Sequence, residues 1–390
     1  MYTLIYLDNN ATTAPLPSVS KIVLHAMESL WGNPSSIHRI GQEARHQMDM
    51  ARESVADLIN CSASRITFTS GGTEAANLAL KTAIEKCPNR KLIVTSRLEH
   101  AAVGEALDLL VNDGYEIVRL DNCRDGIICV QQLEQLLQER GNEIALVSVM
   151  WCNNETGVVE PVAQIVSLCH EHDVLVHSDG TQWVAKMPVD VQDVPVDMLS
   201  FAAHKFHGPK GVGALYTRDG IKVAPLVTGG PQERGRRGGT ENVPAILGFG
   251  VAAEEAVAWL TEHNIKNMEN LRDAFEDALV ARVPAIQINS SGADRAWTTS
   301  SISFPDVKGE LMLLMLSERG VCASSGSACS SGALKESKVI EALGISDDGE
   351  WGTVRFSFAR TTTQDDLNQA IEAVCGSMRA ISQVLESSQG

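Results

Sequence analysis

The chain of 390 residues has no apolar run long enough to span a membrane, and its longest apolar runs are only as long as a strand. The N-terminus lacks a basic region and reaches an acidic residue at Asp8, so we expect no signal peptide and a cytoplasmic location. An excess of positive charge is also missing. The formal net charge of −17 argues against direct binding to nucleic acid or to an anionic membrane, since both require a basic face.

Cysteine pairs at metal-binding spacing are absent as well. The nine cysteines include no C-x-x-C pair and no regular spacing, so we expect no metal site and mostly reduced, buried thiols. The chain contains no internal repeat and no low-complexity linker. Its length instead predicts two domains that pack closely together.

Between about residues 40 and 220, strand-like apolar runs alternate with helix-like stretches. This alternation predicts an α/β fold whose large domain has a mostly parallel sheet covered by helices, with ligands at the carboxyl ends of the strands. The predicted strands are residues 66–69, 91–95, 115–120, 144–150, 174–178 and 198–203.

After residue 243 the pattern changes. Two long helical patterns run to about residue 282 and are followed by short predicted strands. A last helix starts near Thr363, which forms a capping-box pattern with Asp366. This part of the chain predicts a smaller α+β domain. Its predicted strands are residues 285–289, 300–304 and 353–358.

Lys205 is the most informative residue, because it follows a buried strand and lies between His204 and His207, with Lys210 close behind. Cationic neighbours and desolvation both lower the pKa of an ammonium group, which favours a free amine able to form a Schiff base. Most lysines are simply solvated surface residues, so the other strand ends must decide between the two interpretations.

Polar residues also follow the other predicted strands. The turn at residues 70–74, which contains Gly72 and Thr73, opens a helix and suits a phosphate, although glycine turns begin many ordinary helices. His100 follows the next strand. Asn154 follows another as one of two adjacent carboxamides that suit a ring hydroxyl or a carboxylate, with an Asx turn as the alternative. Asp179 ends a hydrophobic strand and suits a protonated ring nitrogen.

The joint pattern is more specific than any of its members. A phosphate-binding turn, a histidine, a carboxamide, an aspartate and a lysine occur at successive strand ends. Because such ends meet at one edge of a parallel sheet, we predict a site for pyridoxal phosphate (PLP) there.

Three features of the downstream sequence add to this site. Cys329 lies in the centre of a serine- and glycine-rich loop at about residues 322–334, so its thiol is predicted to be accessible and nucleophilic. Arg355 is a charged residue in a core-like strand, which favours a carboxylate clamp over a buried ion pair. An arginine- and glycine-rich segment at residues 229–240 is either a solvated loop or a means of bringing Thr240 to a phosphate.

These segments together resemble a cysteine desulfurase of the NifS/IscS-like branch, within the class V aminotransferases of PLP fold type I. The serine-rich cysteine loop resembles the group I form. The resemblance implies a seven-stranded-type sheet, a large domain at 14–258, and a small domain at 1–13 and 259–390. The matching segments are residues 6–13, 32–38, 69–74, 99–100, 153–155, 177–182, 203–210, 235–243 and 355–357, together with the cysteine loop.

The resemblance also implies a role for each residue around the cofactor. Lys205 would form the Schiff base and later move protons, and His100 would stack on the ring and assist proton transfer. Asp179 would pair with the ring nitrogen, while Gln182 and Asn154 would contact the ring oxygen. Four residues would hold the phosphate, the last from the other subunit of a homodimer: Gly72, Thr73, His204 and Thr240.

For the substrate, L-cysteine, the resemblance implies that Arg355, Asn154 and Asn33 bind it and that Cys329 takes its sulfur as a persulfide, leaving alanine. A sulfur-acceptor protein would then receive the sulfur, but the sequence leaves the acceptor open. One departure from the family pattern is Ala202, where a serine is usual. A phosphate hydrogen bond would then be missing, or supplied by Ser200, Thr240 or water.

Two other interpretations stay open at this point. One is a different PLP lyase or aminotransferase, including selenocysteine lyase, in which Cys329 is incidental. The other is a partner-binding or sulfur-carrier scaffold without catalysis, which the presence of both Lys205 and Cys329 disfavours.

Overall fold

The computed structural model describes residues 4–325, 337–345 and 351–388. Strands and helices alternate through most of the chain, as the sequence predicts. The strands are β1 (Ile5–Tyr6), β2 (Ile66–Thr69), β3 (Leu92–Ser96), β4 (Glu116–Leu120), β5 (Ile144–Met150), β6 (Leu175–Asp179), β7 (Met198–Ala202), β8 (Gly213–Thr217), β9 (Gln287–Ile288), β10 (Thr299–Pro305), β11 (Val321–Cys322) and β12 (Trp351–Ser357).

The helices lie between these strands and on both sides of the sequence change near residue 243. They are α1 (Pro17–Ser29), α2 (Arg39–Asp57), α3 (Gly72–Lys86), α4 (Ala101–Leu110), α5 (Val130–Arg140), α6 (Val162–Glu171), α7 (Gln232–Gly235), α8 (Val243–Trp259), α9 (Glu262–Arg282), α10 (Gly309–Glu318), α11 (Lys338–Ala342) and α12 (Gln364–Ser388).

The main sheet has seven strands in the order β2-β8-β7-β6-β5-β3-β4. All neighbouring pairs are parallel except those of β8, which runs antiparallel to β2 and β7. The connection from β7 to β8 is short, which favours the antiparallel pairing of these two strands. The predicted α/β fold with a mostly parallel sheet is therefore confirmed. In this order β6 lies between β5 and β7, so the residues that follow these three strands are neighbours.

The rest of the chain forms smaller sheets. Strands β12, β10 and β9 make an antiparallel sheet in that order, while β1 pairs in parallel with β11. Buried apolar side chains of the downstream part form a core of their own, which Ile5 and Leu7 from the N-terminal segment join. The chain therefore starts in the downstream core before it crosses to the main sheet.

The start of α12 has the side-chain cap that its sequence predicts. The Thr363 Oγ1 accepts from the Asp366 amide at 3.2 Å, and the Asp366 carboxylate accepts from the Thr363 amide at 2.9 Å, so the predicted capping box at the start of α12 is present.

Among the helices that the structure describes, none has both the length and the apolar composition of a membrane span when taken alone. Helices α8 and α9 pass that test only jointly, as a pair bent by 87°.

Candidate functional site

Lys205 lies in the short turn that follows β7, half-buried at the carboxyl end of the strand. Its Nζ donates to the carbonyl oxygen of Asn10 at 2.6 Å and to that of Ala11 at 3.0 Å. The N-terminal segment thus runs directly over the lysine, and it holds the amine with neutral acceptors.

The same segment fixes the two histidines beside Lys205. The carbonyl of His204 accepts from both the amide and the hydroxyl of Thr13, and the His207 amide donates to the Thr13 hydroxyl at 2.6 Å. Burial first, and then the charges of Lys205, Lys210 and Lys186, lower the pKa of His204 to about 4. His204 is therefore neutral at physiological pH.

Asn10 connects the upstream and downstream parts of the site, although it is only 2% exposed. Its carbonyl accepts from Lys205 and, at 3.0 Å, from the Gln182 amide nitrogen, while its own amide nitrogen Nδ2 donates to the Asn154 carbonyl at 3.0 Å. Its backbone amide donates to the Ser357 hydroxyl at 2.9 Å. One asparagine therefore joins the ends of β7, β6, β5 and β12.

Asp179 ends β6 and is buried, with its Oδ1 accepting from the Thr181 amide at 3.0 Å. His177, two residues earlier, is fully buried and lies between the hydroxyls of Ser148 at 2.9 Å and Ser200 at 3.0 Å. Burial lowers the pKa of His177 to about 4, so it is a neutral link between β5, β6 and β7. The Ser200 hydroxyl is consequently engaged inside the sheet.

His100 caps α4 with its Nδ1, which accepts from the Ala102 amide at 3.1 Å. Glu99, just before it, accepts at Oε1 from the Ser96 hydroxyl at 2.7 Å and from the Met150 amide at 2.9 Å. Burial raises the pKa of Glu99 to about 8, and its Oε2 is buried without a hydrogen-bond partner in the described structure. Glu99 thus ties the end of β3 to the end of β5.

Arg355, in β12, is only 3% exposed and faces the end of β5. Its guanidinium donates to the Asn154 carbonyl at 3.1 Å and to the Asp8 carboxylate at 2.8 Å, which fixes its orientation. The backbone of Arg355 also pairs with Ser324, through bonds of 2.6 and 3.1 Å. The start of the predicted cysteine loop is therefore attached at Arg355.

The segment that follows this loop is attached to Glu155, the residue next to Asn154. The Ser337 hydroxyl donates to the buried Glu155 carboxylate at 2.5 Å and caps α11 by accepting from the Val339 amide at 3.2 Å. Burial raises the pKa of Glu155, whereas Ser337, Arg355 and His100 oppose that shift. Cys329 itself lies outside the described residues.

The glycine turn after β2 opens α3 as predicted. No side chain caps this helix, and a Cβ on Gly72 would lie 3.2 Å from the Thr181 hydroxyl and 3.5 Å from the Ala202 Cβ. Gly72 therefore lies beside the turn that follows Asp179 and beside the end of β7. Thr73 is exposed in the first turn of α3, at the open side of this arrangement.

The arginine- and glycine-rich segment packs against this turn. Arg237 forms an ion pair with Glu74, in the first turn of α3, at 2.9 Å. Glu233, which is buried with a positive φ of 47°, binds Arg52 at 2.6 Å and accepts from the Phe68 amide at 2.9 Å. The segment is thus anchored to β2 and is not a freely solvated loop.

Two predicted residues stand apart from the rest. Thr240 is exposed at the end of the arginine- and glycine-rich segment, and Asn33 is exposed in a local turn where its Oδ1 accepts from the Ser35 amide at 2.9 Å. The described contacts of Asn33 do not reach Lys205.

Comparison with known proteins agrees with this arrangement. Residues 5–370 match the family described as aminotransferase class-V. The chain is 41% identical to a cysteine desulfurase of Nostoc sp. over 95% of its own length and 92% of that protein. It resembles the solved structure of a NifS-like protein with a TM-score of 0.88 and 34% identity, covering 96% of this chain and 99% of that one. It also resembles SspA in complex with cysteine, with a TM-score of 0.80 and 32% identity over 93% and 100% of the two chains.

The chain belongs to the class-V aminotransferase family. The cofactor of this family and of its cysteine desulfurases is PLP. The residues of the site fit that group: an amine, a buried carboxylate and an uncapped helix start open to an anion converge at the ends of β7, β6 and β2. Within the described residues no cluster of histidine, cysteine and acidic side chains could hold a metal.

Three residues of the candidate site are not indicated by the sequence pattern. They are Asn10 and Glu155, which lie within the matched segments, and Lys186, which lies outside them. Local sequence carries little signal for Asn10 and Glu155, because their partners are separated by more than a hundred residues: 195 from Asn10 to Lys205 and 182 from Glu155 to Ser337.

Proposed function

We propose that the protein is a cysteine desulfurase, which removes sulfur from L-cysteine, gives L-alanine, and carries the sulfur as a persulfide on Cys329. The observation that supports this most strongly is the convergence of Lys205, Asp179, Asn154 and Arg355 on one sheet edge, with the segment bearing Cys329 attached to Arg355 and Glu155. The relatives named cysteine desulfurase support the same activity.

The positions of these residues support an assignment of roles toward PLP. Lys205 would bond to it covalently, Asp179 would accept from its ring nitrogen, and Gln182 and Asn154 would contact its ring oxygen. The cofactor supplies an electron sink for charge that develops on the substrate carbon. Its phosphate would lie at the start of α3, held by Gly72, Thr73, His204 and the Thr240 of a second copy.

The remaining steps fall to protein side chains. Arg355 would bind the substrate carboxylate with Asn154 and Asn33, since a guanidinium can donate two parallel bonds to it. Lys205 and His100 would move protons at the substrate. The Cys329 thiolate would attack the substrate sulfur, so that an S–S bond forms while the carbon–sulfur bond breaks. The carbon that loses sulfur gains a proton, and alanine leaves.

We further propose that each chain has a large domain at residues 14–258 and a small domain at residues 1–13 and 259–390. Two such chains would form a homodimer. Exposed apolar side chains on and after α1 support a second copy as occupant of this face: Leu24 is 58% exposed, Met27 64%, Trp31 70% and Ile37 94%. Exposed Asn33 lies within the same stretch.

The persulfide sulfur would pass to an acceptor protein in the cytoplasm. That acceptor would serve the assembly of iron–sulfur clusters, or another pathway that adds sulfur to a cofactor or to nucleic acid.

The decisive experiment supplies L-cysteine to the PLP-loaded protein with a thiol reductant. Alanine and sulfide are expected in equal amounts, and without reductant a persulfide-bearing peptide that contains Cys329 should accumulate. Formation of pyruvate and ammonia, or transfer of the amino group to an added keto acid without alanine, would instead show a different lyase or an aminotransferase. Alanine formation from selenocysteine, measured in parallel reactions, tests whether the protein prefers cysteine or selenocysteine.

Substitution Arg355→Lys tests the carboxylate clamp. An ammonium cannot form two parallel bonds to a carboxylate or keep those to Asp8 and Asn154, so we expect KM for L-cysteine to rise about 10- to 100-fold with a smaller change in kcat. Steady-state alanine formation measures both. Arg282→Lys, at an exposed ion pair with Glu372, is the matched control and should leave KM unchanged. An unaltered KM in Arg355→Lys would refute the clamp.

Substitution Ser337→Ala tests the attachment of the cysteine-bearing segment. It removes the bond to Glu155 and the cap of α11, so we expect a loss of about 1–2 kcal/mol of stability. Persulfide formation should fall about 5- to 20-fold, because Cys329 is less well positioned. Chemical denaturation and single-turnover trapping measure the two effects.

Ser62→Ala is the control for this variant. Its hydroxyl caps a short turn by accepting from the Ser64 amide at 3.3 Å, with no carboxylate partner among the described contacts. It should leave persulfide formation intact. A Ser337→Ala variant that loses stability but forms persulfide at the normal rate would show that the contact has no role in positioning Cys329.

A further inference from the structure

The start of α3, where the PLP phosphate would lie, carries an acidic side chain. Glu74 is in the first turn of the helix, and its Oε2 accepts from the amide of Ser70, just before the helix, at 2.9 Å. The side chain of Glu74 therefore folds back over the first turn, and it is only 11% exposed. A carboxylate at this place competes with a phosphate for the positive end of the helix dipole and repels it.

Arg237 pairs with this carboxylate through two bonds. Its Nε donates to Oε1 of Glu74 at 2.9 Å and its Nη2 donates to Oε2 at 3.2 Å, while Nη1 donates to the Gly238 carbonyl at 3.1 Å. A bidentate contact of this kind fixes both the position and the orientation of the guanidinium. The pair as a whole is neutral, whereas Glu74 alone would place a negative charge at the start of the helix.

The contact also keeps Glu74 ionised. Burial raises the pKa of Glu74, but the bonds from Arg237 and Ser70 outweigh burial, so that the pKa lies below its usual value. Glu74 therefore carries its charge at neutral pH, in a helix start that has no side-chain cap. The cation that acts on this charge is Arg237. Whether the start of α3 attracts or repels an anion thus depends on Arg237.

The backbone around Arg237 is held in place on both sides. On one side, the guanidinium of Arg236 donates to the Ser64 carbonyl at 2.7 Å. On the other side, Gly238 packs closely against Gly229, since a Cβ on Gly238 would lie 2.7 Å from the Gly229 nitrogen. A side chain at this position would force the two backbones apart. Arg237 therefore reaches the helix start from a fixed segment of the chain.

We propose that Arg237 is a positioning residue for PLP, which neutralises Glu74 and so enables the start of α3 to bind the cofactor phosphate. In the alternative interpretation, the ion pair only attaches the arginine- and glycine-rich segment to α3. The two interpretations predict different behaviour of single and double variants. The inference rests on the proposed function, in which the phosphate lies at the start of α3.

The test measures the dissociation constant of PLP, by titrating the visible absorption of bound PLP after the cofactor has been removed from the protein. In Arg237→Gln and Arg237→Met the unpaired Glu74 carboxylate repels the phosphate, so the constant should rise about tenfold. The double variant of Arg237→Gln with Glu74→Gln has lost the negative charge as well, and its constant should return to within about threefold of that of the unmodified protein. Glu74→Gln alone should not weaken PLP binding.

Pyridoxal, which lacks the phosphate, separates a charge effect from a structural one. Its dissociation constant should be unchanged in every variant, whereas a distorted site would weaken the binding of both compounds. Arg237→Lys keeps the positive charge and should bind PLP within about threefold of the unmodified protein. Lys81→Gln, which removes the cation of an ion pair with Glu85 further along α3, is the matched control and should leave PLP binding unchanged.

An unchanged PLP constant in both Arg237→Gln and Arg237→Met would overturn the proposal, as would an equal loss of pyridoxal binding. A double variant that binds PLP as weakly as Arg237→Gln would show that the pair is only an attachment. Alanine formation by the unmodified protein is measured on the same preparation. If L-cysteine is not converted, the proposed function fails, whereas the dissociation constants still decide whether Arg237 controls the phosphate site.

Discussion

Substitution Lys205→Ala is expected to lower alanine formation from L-cysteine by about 10⁴-fold or more, because no other amine can replace a covalently acting lysine that also moves protons. Lys186 cannot take over, since its Nζ is directed to Gln182 and Asn10. Borohydride reduction of the PLP-loaded protein should attach the cofactor mass to the peptide containing Lys205, and the variant should gain no such mass.

The control for this variant is Lys222→Ala, at an exposed lysine after β8. It should retain both the activity and the borohydride-fixed mass. Lys205→Ala is also expected to remain folded, because Lys205 is half-buried and its partners are main-chain carbonyls that water can bind. Cofactor mass on a different lysine in the unmodified protein would show that Lys205 is misassigned.

The second large effect is expected for Cys329→Ser. A serine hydroxyl is a far weaker nucleophile toward sulfur than a thiolate, so alanine formation should fall by about 10³-fold and no persulfide should form. Binding of PLP and of L-cysteine should be unchanged, since their proposed contacts lie on the sheet edge. Stopped-flow absorbance after mixing with L-cysteine reports binding, and thiol-specific labelling reports the persulfide.

Cys123→Ser is the matched control, because Cys123 is an exposed thiol in the loop after β4. It should leave alanine formation within about twofold of the unmodified protein. If Cys329→Ser forms alanine at the normal rate, Cys329 is incidental, and the protein is a lyase that releases sulfur by another route.

The pattern of apolar residues in the sequence was sufficient to predict the architecture of the main sheet. Runs such as residues 144–150 are apolar at every position except Ser148, which is typical of strands buried on both faces, and β5 has these bounds. The polar residues after such runs had to meet at one edge, because parallel strands share the direction of their carboxyl ends. The fold and the position of Lys205, Asp179 and Asn154 could therefore be predicted.

Contacts between distant segments could not be predicted in this way. The path of residues 10–14 over Lys205 depends on β1 joining β11 in the downstream core, a pairing of two-residue strands that leaves no periodic signal. The ion pair of Glu233 with Arg52 likewise depends on a turn with positive φ in an otherwise polar loop. Such contacts arise from packing, which a local pattern does not encode.

The sequence by itself determined the sheet, its carboxyl edge and the lysine, aspartate and cysteine that indicate the chemistry. Tertiary structure alone decided what surrounds them: Asn10 joining four strand ends, Glu155 holding the segment after the cysteine loop, and Lys186 beside Lys205. The physical reason is the range of the interactions. Hydrophobic periodicity acts over a few residues, whereas a buried polar group finds its partners only after the chain has folded.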